Sequence, residues 1–281
     1  MQFQTPTITG LVGAAFQAAK ARTELLILLA LLAGIGSSIV YAPAATILEN
    51  LIEIYPENVV EVYPDTGTPS ERDEEIASVV NQGLSTLLLG HLAATAVSTF
   101  LLIPFARASA PGRLVPAAGG LRAFTIRGLR SFLHMVAANG ISILVAFFAL
   151  SLIVGLAAAL GPLTNAVAIV AAGFVMWTSI VLTSTAHLAI AAEARDRRET
   201  LPSAFVRARL FMVPIAASLA ILFLLTILLY LTVGSMAISL VPEEFEFRMA
   251  LIVAGFVAYL TSALHVAALY QVPDFRDLRP S

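Results

Sequence analysis

Cysteine is absent from the 281 residues, which excludes disulfides, thiolate metal sites, iron–sulfur clusters and a cysteine nucleophile. Charge is scarce as well. Asp, Glu, Lys and Arg make up 12 % of the chain, against about 25 % in soluble domains. With 59 % hydrophobic residues and a mean hydropathy of +0.90, a water-soluble globule is excluded. Lysine is nearly missing: Lys20 is the one lysine among 16 basic residues. The net charge of −2 offers no field for a polyanion, so nucleic acid is not an expected partner.

What the chain does contain is long uncharged runs: 24 residues (25–48), 31 (76–106), 62 (131–192), 33 (210–242) and 25 (249–273). A helix needs about 20 residues to cross the hydrocarbon core, so four of these runs are single spans. The 62-residue run is long enough for two, and Gly161-Pro162 supplies a turn between helices ending near Leu160 and starting near Thr164. The reading is an all-α integral membrane protein of six transmembrane helices. Ala42-Pro43-Ala44 resembles a small-residue cleavage site. The run from Leu25 to Tyr41 nevertheless exceeds the about 7–15 residues of a signal-peptide core, and it is read as the first span.

Basic residues are retained on the cytoplasmic side of a membrane. In a six-span threading, Lys20, Arg22, Arg107, Arg113, Arg122, Arg127, Arg130, Arg195, Arg197, Arg198, Arg207, Arg209, Arg276 and Arg279 share one side, with Arg72 and Arg248 opposite. Both termini are therefore expected in the cytoplasm, and the membrane is expected to be the plasma (inner) membrane. Acidic residues lean the other way, with Glu49, Glu53, Glu57, Glu61, Asp65 and Asp73-Glu74-Glu75 in an outer loop at about 49–79. That loop lacks the Asp-x-Asp-x-Asp-Gly spacing of a preset calcium cage, and a solvated acidic loop is expected.

On the inner side, stretches at about 9–23, 112–130 and 198–209 mix basic and apolar residues and read as interfacial lead-in helices. They share Ala15-Phe16, Ala123-Phe124 and Ala204-Phe205, each followed by basic residues. Leu182-Thr183-Ser184-x-x-His187-Leu188-Ala189 in span 4 returns as Leu260-Thr261-Ser262-x-x-His265-Val266-Ala267 in span 6, while span 2 keeps His91-Leu92-Ala93. Phe-to-His distances of 63 and 60 residues in the second and third units agree on one period. The single domain, 1–281, is therefore read as three tandem helical hairpins: 9–106, 112–195 and 198–273. Same-direction repeats of this kind are related by an axis along the membrane normal.

All four histidines fall inside spans, where an ionisable group is by default a functional candidate. The candidate polar site is His134, Thr183, His187, Thr261 and His265, with His91 a weaker member. Two readings compete: a proton, metal or ligand site, or interhelical hydrogen bonds worth about 0.6–2 kcal/mol each. No intramembrane carboxylate accompanies the histidines, which favours the second. Gly83, Gly90, Ala94 and Ser98 read as close-packing positions in span 2, and Gly34-Ile-Gly36-Ser-Ser as a place where span 1 could unwind.

No catalytic pattern survives inspection. Glu243-Glu244-x-x-x-Arg248 matches an intramembrane protease signature, but it falls in an outer loop without the downstream Phe-x-x-x-His. Asp65-Thr66-Gly67 is a lone copy in a short loop.

Several features occur in a familiar order. Ala15-Phe16…Lys20-x-Arg22 precedes span 1, Ala191-Ala192-Glu193-Ala194-Arg195 leaves span 4 ahead of Phe205-x-Arg207-x-Arg209, and Leu269-Tyr270…Asp274-Phe-Arg276-Asp277-Leu-Arg279 closes the chain. This order resembles a broad family of six-span bacterial and archaeal membrane proteins that includes the membrane domain of some glycerophosphoryl diester phosphodiesterases. The resemblance implies a stand-alone membrane module without the phosphodiesterase domain, and it transfers no catalytic residue.

The functional expectation is a non-catalytic membrane module: a scaffold, lipid-contacting or transport-accessory protein, not an enzyme. A small secondary transporter or channel using the buried His and Thr groups is the alternative, and an intramembrane enzyme comes last. Membrane lipids are the expected partners, with other membrane proteins or a second copy of the chain after them. No cofactor is implied.

Overall fold

The computed structural model describes residues 6–54, 71–109 and 120–271, without the side chains of residues 45, 48–54, 71–77, 80, 156–160, 162, 243 and 244. The described residues form helices α1 (Ile8–Ala21), α2 (Thr23–Ile54), α3 (Glu71–Ala108), α4 (Gly120–Leu160), α5 (Thr164–Ala194), α6 (Leu201–Ala208), α7 (Met212–Leu229), α8 (Ser235–Ser239) and α9 (Glu243–Gln271). Six stretches among them are long and apolar enough to cross a bilayer: Thr23–Ala44, Asn81–Ala108, Gly120–Gly155, Thr164–Ala194, Leu201–Ser239 and Phe245–Gln271. The chain is an all-α, multi-pass membrane protein.

The break inside the 62-residue run falls where the sequence places it. α4 ends at Leu160, Gly161–Leu163 make one tight 3-10 turn, and α5 starts at Thr164. Gly161 has φ +50°, a left-handed conformation that glycine enters without a Cβ clash. Span 5 is composite. α6 opens on a capping box, in which Thr200 accepts from the Ser203 amide and Ser203 returns to the Thr200 amide. A 3-10 turn at Arg209–Phe211 leads into α7, and one π-helical turn at Tyr230–Gly234 joins α7 to α8.

The three lead-ins take different forms. α1 docks on α9 and α7 by burying Leu11, Ala15 and Ala18, while Phe16 faces outward. α6 is a short separate helix. In the second hairpin the lead-in and the span are one continuous helix from Gly120 onward. At 1.5 Å per residue, the 41 residues of α4 extend about 60 Å, well beyond the hydrocarbon core. Residues 112–119 of that lead-in lie outside the described residues, as do Glu57, Glu61 and Asp65 of the acidic loop, Arg113, and the segment Asp274–Arg279.

α9 is the central element, packing against α1, α2, α3, α5 and α7. Span 1 does not unwind at Gly34-Ile-Gly36-Ser-Ser, because α2 is a continuous helix there. The glycines serve approach instead. A Cβ on Gly34 would lie 2.4 Å from the Ile252 carbonyl oxygen, and one on Gly255 would lie 2.6 Å from Ser37 Oγ and 3.0 Å from the Gly34 Cα. Such contact is how membrane helices gain dispersion and backbone proximity when lipid tails are as apolar as leucine. By contrast, α4 and α5 pack mainly on each other, and Phe148, Leu152, Ile169, Val170 and Phe174 of this hairpin remain exposed, as suits a bilayer-facing surface.

Steric overfilling of a packed contact costs about 1–3 kcal/mol. Gly34→Ala and Gly255→Val are therefore expected to lower the thermal unfolding temperature in detergent, and Gly173→Ala, whose Cβ meets nothing within 4 Å, is expected to leave it unchanged. Equal behaviour of all three would remove the α2–α9 contact from the account.

Candidate functional site

The two histidines of the repeated Leu-Thr-Ser-x-x-His motif meet. His187 Nδ1 on α5 lies 2.9 Å from His265 Nδ1 on α9, with ring centroids 5.2 Å apart at 59° and both residues fully buried. His265 Nε2 lies 3.1 Å from the Ile215 carbonyl oxygen and 3.1 Å from Ser218 Oγ on α7. These contacts assign the protons. A carbonyl only accepts, so His265 carries its hydrogen on Nε2 and, as a neutral ring, presents a lone pair at Nδ1. His187 then donates from Nδ1, which leaves its Nε2 as a bare acceptor without a partner among the described residues. One helical turn further from the chain's arginine-rich end, Thr261 Oγ1 meets Thr226 Oγ1 at 2.6 Å. The result is a buried polar ladder tying α5, α7 and α9.

The other predicted members do not join it. Thr183 is half-buried on α5. His134 sits on α4, which packs on α3 and α5, and its ring bonds the backbone at Glu199 beyond the end of α5. The five candidate residues therefore separate: His187, His265 and Thr261 form one site, His134 belongs to the junction between α4 and the α5–α6 connection, and Thr183 joins neither.

That junction is an ion-pair network. Asp196 ends α5 in a left-handed conformation, φ +63°, with the Arg197 amide bonded to the Ala192 carbonyl at 3.0 Å. Its carboxylate bridges Arg107 of α3 and Arg127 of α4. Glu193, buried on α5, pairs with Arg130 at 3.7 Å, and Glu199 pairs with Arg207 of α6. Arg195 donates to the Leu269 and Tyr270 carbonyls at the end of α9, and its guanidinium lies 5.2 Å from the Tyr270 ring centroid. Burial pulls its pKa below the usual arginine value, yet a guanidinium stays cationic in proteins. Arg22 Nε donates to the Ala108 carbonyl at 2.9 Å, closing the α1–α2 corner on α3.

The fourth histidine, ranked weakest by sequence, lines a cleft that combines polar side chains with mid-membrane depth. This cavity of about 300 Å³ lies between α2, α3, α4 and α9. α2 contributes Ser37 and Tyr41, and α3 contributes His91, Thr95, Ser98 and Thr99. Met135 and Asn139 come from α4, and Gly255, Ala258 and Ser262 come from α9. His91 Nδ1 is 3.2 Å from Tyr41 Oη, and His91 Nε2 is 3.2 Å from Asn139 Nδ2. The stripe His91, Thr95, Ser98 and Leu102 follows helical spacing, so one face of α3 supplies it. Of the packing positions expected in span 2, Gly90 does take Tyr41 against it, at 3.0 Å from a would-be Cβ, whereas Ala94 and Ser98 line the cavity.

Tyr41 and Asn139 escaped the sequence reading, although an amide inside an apolar run is a recognisable signal for interhelical bonding. The class of the molecule is thus a polytopic helical membrane protein with a sealed polar pair and an open polar cleft. No protein family, no curated protein and no solved structure matches the chain.

The His187–His265 geometry has a measurable signature. A buried group left without its partner costs about 1–3 kcal/mol, while removing both partners is nearly neutral. His187→Leu and His265→Leu are each expected to destabilise, and the double variant to lose less than the sum of the two. Additive losses in this cycle would mean that the rings do not interact.

Proposed function

We propose that the protein is a non-catalytic membrane module that works by contact with lipid, resident in the cytoplasmic membrane with both termini and the arginine-rich loops inside. The observation that carries this reading is the fate of the most reactive-looking groups. His187 and His265 bond to one another through Nδ1 in a fully buried core, with α5, α7 and α9 packed around them and only His187 Nε2 left without a partner among the described residues. A relay needs a group to pass its proton to, and a ligand site needs space. The pair has the character of interhelical hydrogen bonding. The matched positions of the two Leu-Thr-Ser-x-x-His motifs support three tandem hairpins. The same module character fits the resemblance to the membrane domain of glycerophosphoryl diester phosphodiesterases.

The polar cleft at His91 favours a second reading, a small transporter, because such sites lie near the bilayer midplane between helices. The two readings part in reconstituted liposomes. The module reading expects no pH-dependent flux, and it expects His187→Gln together with His265→Gln to fold as the parent does, since an amide still bonds across helices but does not titrate. A proton-coupled flux abolished by His91→Gln would establish the transporter.

Orientation is tested independently on the cysteine-free background. Arg198→Cys, at the arginine-rich end, is expected to resist an impermeant maleimide in intact cells, and Leu240→Cys, exposed between α8 and α9, is expected to react. Reversed labelling would overturn the threading.

A further inference from the structure

We propose that the cleft between α2, α3, α4 and α9 is a binding site for an uncharged lipid alcohol, a membrane-dissolved molecule with a free hydroxyl and apolar tails. The inference rests on the lipid-contacting reading and names the class of lipid.

Depth and charge select the class first. At 1.5 Å per residue, His91 lies about 15 Å from Asn81 and about 25 Å from Ala108, the ends of its span. It is therefore near the midplane and is exposed; exposed surface at that depth borders hydrocarbon, so the proposed entry is lateral. No Asp, Glu, Lys or Arg lines the cavity. A phosphate brought to this depth would meet no cation and would lose its hydration, which is prohibitive. A neutral hydroxyl reaches the midplane at modest cost and recovers it through hydrogen bonds.

The Tyr41–His91–Asn139 triad then selects a hydroxyl. If His91 is protonated on Nδ1, Tyr41 accepts from it, and the tyrosine O–H is free to donate. Asn139 donates to Nε2, and its carbonyl oxygen stays free to accept. If the proton is on Nε2, Asn139 turns its oxygen to that nitrogen and offers its NH₂, while Tyr41 donates to Nδ1 and offers its oxygen. Either tautomer presents one donor and one acceptor on two side chains that line the cavity. A hydroxyl is the simplest group that pairs with both. The volume, about 300 Å³, is at the lower end of small-molecule sites, about 300–1,000 Å³, enough for a polar head with its tails leaving through the lateral mouth. The Ser37–Gly255 approach forms the rigid back wall.

The test uses the full chain in phosphatidylcholine nanodiscs with a photoreactive diacylglycerol and mass-spectrometric mapping of the adducts. Saturable labelling is expected on cleft residues of α2, α3, α4 and α9. It should be competed by unlabelled diacylglycerol at least about a hundredfold more effectively than by phosphatidic acid of the same tails, whose phosphate would have to shed its hydration with no cation to meet. Tyr41→Phe combined with Asn139→Leu should abolish the saturable part. Tyr41→Phe alone, which removes only a hydroxyl, should weaken it and serves as the readout if the double variant fails to fold. Equal competition by phosphatidic acid, or labelling indifferent to these substitutions, overturns the proposal. Non-saturable labelling at Phe148 and Phe174 reports lipid contact in general. Its persistence with an empty cleft would sink only this proposal, whereas its loss would sink the lipid-contacting reading itself.

Discussion

The backbone-to-backbone approach of α2 and α9 at Gly34 and Gly255 is the constraint on which the rest of the structure depends. In a bilayer, helices gain nothing by hiding apolar side chains from lipid, so association rests on close packing and on polar groups finding partners. The two glycines supply the first. They seat α9 against α2, and from there α9 reaches α1, α3, α5 and α7. Its half nearer the arginine-rich end delivers His265 to His187 and Thr261 to Thr226. Tyr259, also buried, donates to the Leu101 carbonyl of α3 at 3.0 Å, beside the turn that Pro104 deprives of one backbone N–H. On the opposite side the same approach leaves α4 standing off, and the gap is the cleft.

Two kinds of intramembrane polarity result, and chemistry separates them. Where three helices pack around a pair of imidazoles, both rings are withdrawn from the surface and their bonds tie helix to helix. Where four helices diverge around His91, the bonds to Tyr41 and Asn139 use only part of each side chain's capacity and leave the remainder facing a cavity. Titratable residues alone do not mark a site in a membrane. Unused hydrogen-bonding capacity next to space does.

The spans were legible because the bilayer imposes a length, and the turn at Gly161 because a left-handed position calls for glycine. The meeting of His187 and His265 was foreshadowed by the repeated Leu-Thr-Ser-x-x-His motif, which puts both rings at one depth. The sequence could not say that His134 turns away to the Glu199 backbone, since the face a helix presents depends on its neighbours and not on its own period. For the same reason His91 was undervalued. Its partners Tyr41 and Asn139 lie 50 and 48 residues away, and although an amide in an apolar run marks Asn139 as a bonding group, nothing local pairs it with His91. Asp196 is a further case: its left-handed backbone is held by arginines from α3 and α4 that only the assembled bundle brings together.

The central claim, a sealed histidine pair beside an occupied cleft, is tested most directly by a density map of the protein in lipid nanodiscs at a resolution that shows ordered water. The account expects direct contact between His187 and His265 with no water between them. It also expects elongated non-protein density entering the cleft from the side, its head against Tyr41, His91 and Asn139. A continuous file of water running from the arginine-rich end past His187 into the cleft would contradict it and would make the protein a conduit.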